Sequence, residues 1–88
     1  MGTLIVTLNM KKQNFSVDLE VPDMLKVDEL KRDIVETLRG YRKDLTIPDE
    51  GVELYCVRLE RIINGHETLA QAGVWNGDYI TFVRKRSN

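Results

Sequence analysis

Cys56, in "VELYCVRL", and His66, in "NGHE", are the single thiol and the single imidazole of the chain. Together they form its one conceivable nucleophile–base pair. Their surroundings point elsewhere. Cys56 falls on the apolar side of an alternating segment, where a thiol behaves as a small buried hydrophobe. His66 sits in an Asn-Gly turn, which places it at the surface. One Cys and one His are too few for a zinc site, and a lone cysteine excludes an intramolecular disulfide. No glycine-rich phosphate-binding or dinucleotide-binding pattern is present. The chain is therefore expected to be no enzyme and to use no cofactor or metal.

The remaining candidates are surface residues. Tyr55 and Val57 alternate away from Leu54 and Cys56, as Tyr79 and Val83 do from Ile80 and Phe82. If the two segments are neighbouring strands, these four residues form one contiguous apolar patch, the usual mark of a binding site. Trp75 precedes a sharp "NGD" corner. Its ring is expected to cap the edge of the core; the alternative is an exposed anchor for a partner, since Trp is enriched at interface hot spots. Lys11 and Lys12, and Arg84, Lys85 and Arg86, form two local basic clusters. Such runs are ordinarily a solvated edge; the sharper expectation is contact with an acidic partner or a membrane surface.

These residues need elements to hold them. "TLIVTLNM" and "NFSVDLEV" both alternate with period two, with Leu4, Val6, Leu8, Met10 and Phe15, Val17, Leu19, Val21 on the apolar face. That pattern predicts two strands of a sheet wet on one side, joined by a hairpin at Lys11–Gln13. Pro22 suits an edge strand. Over residues 26–39 the period changes: Val27, Leu30, Ile34 and Leu38 make one helical stripe, and Gly40 is expected to stop the helix. Pro48 and Gly51 mark a turn. A third strand is expected over 52–59, a short one over 61–63, a single helical turn from Thr68, and a last strand over 79–83. One helix can cover one face of such a sheet, with the first and last strands running parallel in its middle. The fold class is α+β, a roll of four or five strands on one main helix.

Eighty-eight residues, 42% hydrophobic and 31% charged, make one soluble domain (1–83) with a short basic tail (84–88). Thirteen basic against fourteen acidic residues leave a net charge of −1, which argues against general nucleic-acid binding. No apolar run approaches the roughly 18 residues needed to span a bilayer. The N-terminus lacks the pattern of a signal peptide, so a cytoplasmic protein is expected.

The hairpin, the helix, "IPDEG" and above all "TLAQAGVWNGDYITFV" resemble the ubiquitin-like β-grasp proteins over nearly the whole chain. Thr68, Leu69, Val74, Gly77, Asp78, Ile80 and Phe82 carry the likeness. Leu69 and Val74 would plug the lower core, and Gly77 would take the positive φ of a tight corner. Within that superfamily the chain is most similar to the YukD/EsaB group of type VII (WXG100) secretion systems. The resemblance implies a bacterial accessory or regulatory module, docking through its sheet face on a cytoplasmic domain of secretion machinery. Ubiquitin and the sulfur carriers end in Gly-Gly, because an activating enzyme threads that tail through a narrow channel. This chain ends "VRKRSN". Activation at the C-terminus, as a modifier or a sulfur carrier, is the disfavoured alternative.

Overall fold

The computed structural model describes residues 2–45 and 51–84. Strands β1 (Thr3–Met10) and β2 (Phe15–Pro22) pair antiparallel in unbroken register from Thr3↔Pro22 to Met10↔Phe15. A single 3-10 turn, Lys11–Gln13, joins them. Asn14 closes that turn in the left-handed region (φ 50°), which Asn tolerates better than most side chains. Helix α1 (Val27–Tyr41) follows, then β3 (Val52–Cys56), β4 (Arg61–Ile63), the one-turn helix α2 (Leu69–Ala72) and β5 (Tyr79–Arg84). The five strands lie in the order β2-β1-β5-β3-β4. β5 runs parallel to β1 (Thr7↔Tyr79, Leu8↔Ile80) and antiparallel to β3 (Leu54↔Phe82, Tyr55↔Thr81, Cys56↔Ile80). The mixed sheet with a central parallel pair is the expected one.

Helix α1 buries Val27, Leu30, Ile34, Val35 and Leu38, the predicted stripe plus Val35, against the inner face of the sheet. Val6, Leu8, Leu54, Cys56 and Ile80 meet it there, all fully buried. No side chain caps the start of the helix. Instead the Val27 and Asp28 N–H groups donate to the Glu67 and Gly65 carbonyls (2.8 and 3.1 Å), so the turn after β4 satisfies donors that a helix start leaves free. At the other end the helix runs two residues beyond the expected 39, and Gly40 lies inside it rather than stopping it. The cause is tertiary. The Tyr41 ring packs on Phe15 (centroids 6.4 Å apart) and the Arg42 guanidinium lies 5.2 Å above the same ring. These contacts outweigh the ~1 kcal/mol that a helical glycine costs.

Three more expectations need correcting. The third strand ends at Cys56, not at 59, because residues 57–60 turn: the Glu60 N–H donates to the Val57 carbonyl and Glu60 takes φ 52°. Phe82 points to the core side but is only half-buried, packed at the margin where Met10 is also half-buried. Arg84, expected in the tail, is the last residue of β5 and pairs with Val52. The expected turn at Pro48, and Lys85 and Arg86, lie outside the described residues.

The closing segment follows its motif. Thr68 caps α2 through a reciprocal box: its hydroxyl accepts from the Gln71 N–H (3.1 Å) while the Gln71 side chain accepts from the Thr68 N–H (3.0 Å). Leu69 and Val74 are buried beneath it. Gly77 adopts φ 86° and donates to the Ile5 carbonyl (2.7 Å), while the Asn76 side chain accepts from the Ile5 N–H (2.8 Å). The corner is thereby stitched to β1.

Candidate functional site: the outer sheet face

The face of the sheet away from α1 carries the alternation partners of the core. Because β3 and β5 are neighbours, Tyr55 stands beside Thr81 and Glu53 beside Val83, while the Val57 N–H donates to the Tyr79 carbonyl (3.0 Å). All four residues of the predicted patch therefore share one face. Their exposure differs from the expectation for two of them. Val57 is 51% and Tyr79 53% exposed, whereas Tyr55 and Val83 are half-buried. Tyr55 is flanked on both sides, by Thr81 of β5 and Ile62 of β4, which shields its ring. Ile62 is itself exposed and extends the patch toward the β4 edge, and exposed Ile5 extends the same face along β1.

Ile62 lies in the short strand expected over 61–63, and nothing local marks it as a surface residue. Its pairing with Tyr55 is the missing information, and register is not written in three residues. Beyond β1 the outer face turns acidic. Asp18 and Glu20 of β2 accept hydrogen bonds from the Thr7 and Thr3 hydroxyls (2.7 and 3.1 Å).

Between the Lys11–Gln13 turn and the β3–β5 pair the outer face hollows into an open groove of about 770 Å³. Its lining includes the outer-face residues Asn9, Tyr55, Val57, Thr81 and Val83, the margin residues Met10, Val52 and Phe82, and the cations Lys11, Lys12 and Arg84. The Thr81 hydroxyl donates to the Asn9 carbonyl (2.7 Å), so one polar side chain in the lining is already satisfied.

Trp75 departs from its expected place. It does not cap the core but stands 65% exposed, with the Arg58 guanidinium 3.8 Å above the ring centroid. Arg58 in turn is held by Asp78, which it meets through Nε and Nη2 (2.8 and 2.9 Å), and it donates to the Gly73 carbonyl (2.6 Å). Asp78 is nearly buried and also accepts from the Trp75 N–H (2.8 Å) and the Cys56 thiol (3.8 Å). The Arg58 hydrogen bonds, helped by the Trp75 N–H, hold the Asp78 carboxyl below its ordinary value of 3.8 against the opposing effect of burial. A cation over the indole face is attractive and fixes the ring (cation–π). The corner thus presents a pre-positioned aromatic knob. The Gly-Asp motif marked Asp78, but nothing in the sequence paired it with Arg58.

Cys56 is fully buried and His66 exposed, as expected. Among the described residues no group of acidic, His and Cys side chains could hold a metal ion.

Residues 3–82 match the family model described as WXG100 protein secretion system (Wss), protein YukD. The chain belongs to the YukD family. Among solved structures, the YukD-family chain is similar to the ubiquitin-like domain of the Mycobacterium tuberculosis type VII secretion system protein ECCD1. That match has a TM-score of 0.73 at 22% identity and covers 94% of this chain and 99% of that one. A chain of the MycP5-free ESX-5 inner membrane complex matches with a TM-score of 0.77 at 11% identity, covering 100% of this chain but 23% of its own length. The UBL domain of Plasmodium falciparum Dsk2 matches with a TM-score of 0.70 at 20% identity, covering 93% of this chain and 97% of that one. These likenesses show the ubiquitin-like fold. No curated protein matches in sequence.

Proposed function

We propose that this YukD-family protein is a cytoplasmic, non-enzymatic interaction module of a type VII secretion system, acting by non-covalent docking of its outer sheet face on the secretion machinery. The observation that carries this reading is the outer patch: Val57 and Tyr79 lie exposed beside half-buried Tyr55 and Val83, next to exposed Ile62. A contiguous apolar patch marks an interaction surface where singly scattered apolar residues do not. Trp75 adds a rigid aromatic anchor, the residue type most enriched at hot spots. The family supports the secretion context, and so does the likeness to a chain within the ESX-5 inner membrane complex. No helix among the described residues is long and apolar enough to cross a membrane, so contact with a membrane complex would run through a protein surface.

The test is binding of purified cytoplasmic domains of the secretion apparatus to Val57→Asp, Tyr79→Ala and Trp75→Ala, with Glu20→Ala as control. Val57→Asp and Tyr79→Ala should melt like the parent yet bind tenfold or more weakly, a loss of about 1.4 kcal/mol. Equal binding by all four variants would remove the sheet face from the reading.

A further inference from the structure

The groove on the outer face carries a charge opposite to that of the molecule. The chain is acidic overall, with a net charge of −1, yet the charged residues lining this groove are basic. Lys11, Lys12 and Arg84 make no ion pair among the described residues. Four other cations are engaged, Arg42 with Asp44, Arg58 with Asp78, Arg61 with Glu67 and Lys31 with Asp28. Lys26, Arg32 and Lys43 are likewise without an ion pair among the described residues but do not line the groove. Tyr55, Val57 and Val83 give the lining its apolar outer-face part, beside the uncharged polar Asn9 and Thr81. The acidic side chains of this face, Asp18 and Glu20, lie on the edge strand β2 and do not line the groove. Glu53 shares the face beside Val83 and is likewise absent from the lining.

We propose that this groove seats a polypeptide segment of the partner that combines apolar anchors with flanking Asp or Glu side chains. The inference rests on the docking reading above and adds the chemistry of what docks. Apolar side chains would cover Tyr55, Val57 and Val83 while carboxylates meet Lys11, Lys12 and Arg84. Complementary charge of this kind steers encounter and excludes segments of the wrong sign. A hollow of about 770 Å³ with a partly apolar lining fits a few side chains of a peptide better than a lipid headgroup layer, which is flat on this scale.

The experiment pans a random peptide library on the immobilised full chain. Enriched peptides are then titrated into the isotopically labelled protein and its amide signals followed. Enriched sequences should carry apolar residues flanked by Asp or Glu and shift the amides of Tyr55, Val57 and Val83. They should lose roughly tenfold in affinity against the Lys11→Glu/Lys12→Glu double variant, whose exposed sites leave the melting temperature unchanged. The same variant, panned separately, should select peptides with Lys or Arg. Enriched peptides that sit in the groove with neutral or basic flanks would overturn the acidic assignment and leave the docking face standing. Peptides that shift only amides away from the sheet face, or no enrichment at all, would overturn both. Vesicles of phosphatidylglycerol and phosphatidylcholine form the last arm. Binding to them that needs Lys11 and Lys12 but survives Tyr55→Ala, in the absence of acidic peptides, would make these cations a lipid contact and sink the proposal.

Discussion

Asp78→Asn isolates the charge at the centre of the Trp75 corner while keeping its shape. In the parent, one carboxylate oxygen accepts from Arg58 Nε, and the other accepts from Arg58 Nη2 and the Trp75 N–H, at 2.8 to 2.9 Å. An amide cannot replace this set. Whichever way the Asn side chain turns, its NH2 faces a donor, so at least one hydrogen bond is lost and the others become weaker. Hydrogen bonds to a charged group contribute roughly 1.5–3 kcal/mol against about 1 for neutral ones, and exposure of Arg58 lets water recover part of the difference. A net loss of about 2 kcal/mol follows, which for a domain of this size lowers the melting temperature by about 8–16 °C.

The sign of the pH effect is fixed by the direction of the Asp78 shift. A carboxyl depressed in the folded state stabilises above its unfolded value of 3.8, and that contribution fades as pH falls through the lower folded value. Thermal melts of parent and variant should therefore differ most near neutrality and converge as the solution is acidified below 3.8. Because the hydrogen bonds that hold Arg58 and the Trp75 backbone are partly lost and otherwise weakened, indole fluorescence should also become more solvent-like and more quenchable by acrylamide. Equal melting temperatures near neutrality, or a gap that stays constant into acid, would refute the idea that Asp78 holds this corner through its charge.

Leu69→Ala empties a fully buried position under α2 and should cost about 2–5 kcal/mol, read from urea denaturation; no change would mean that the closing segment is packed otherwise. Thr68→Ala removes the hydroxyl half of the capping box and should cost about 1 kcal/mol in the same assay, well below the Leu69 effect. Removing residues 85–88 should leave the melting temperature and partner binding unchanged, since β5 ends at Arg84; lost binding with an intact fold would assign the tail a role.

The sequence by itself determined the elements whose cause is local. Alternation placed β1, β2 and the inner and outer sides of β3 and β5, and the three- and four-residue stripe placed α1. The "TLAQAGVWNGD" motif carries its own capping residue and its own corner glycine, so that segment was legible almost residue by residue. With one Cys and one His in the chain, composition weighs against a zinc site and a nucleophile–base pair. What only the tertiary structure decided depends on contacts between distant residues. Gly40 is a stop signal locally, yet Phe15 holds the helix through it. Val57 continues the alternation of β3, yet the chain turns there. Trp75 is large and apolar enough to suggest burial, but Arg58, reaching back from another turn to Asp78, gives its ring a partner in the open. The groove is the clearest case. Lys11, Tyr55 and Arg84 are spread over most of the chain, and only strand order and register bring them around one hollow. Periodicity states which way a side chain faces, because that is set by the backbone's own repeat. Which neighbours it then meets is set by the pairing of strands far apart in sequence, and no local pattern encodes that.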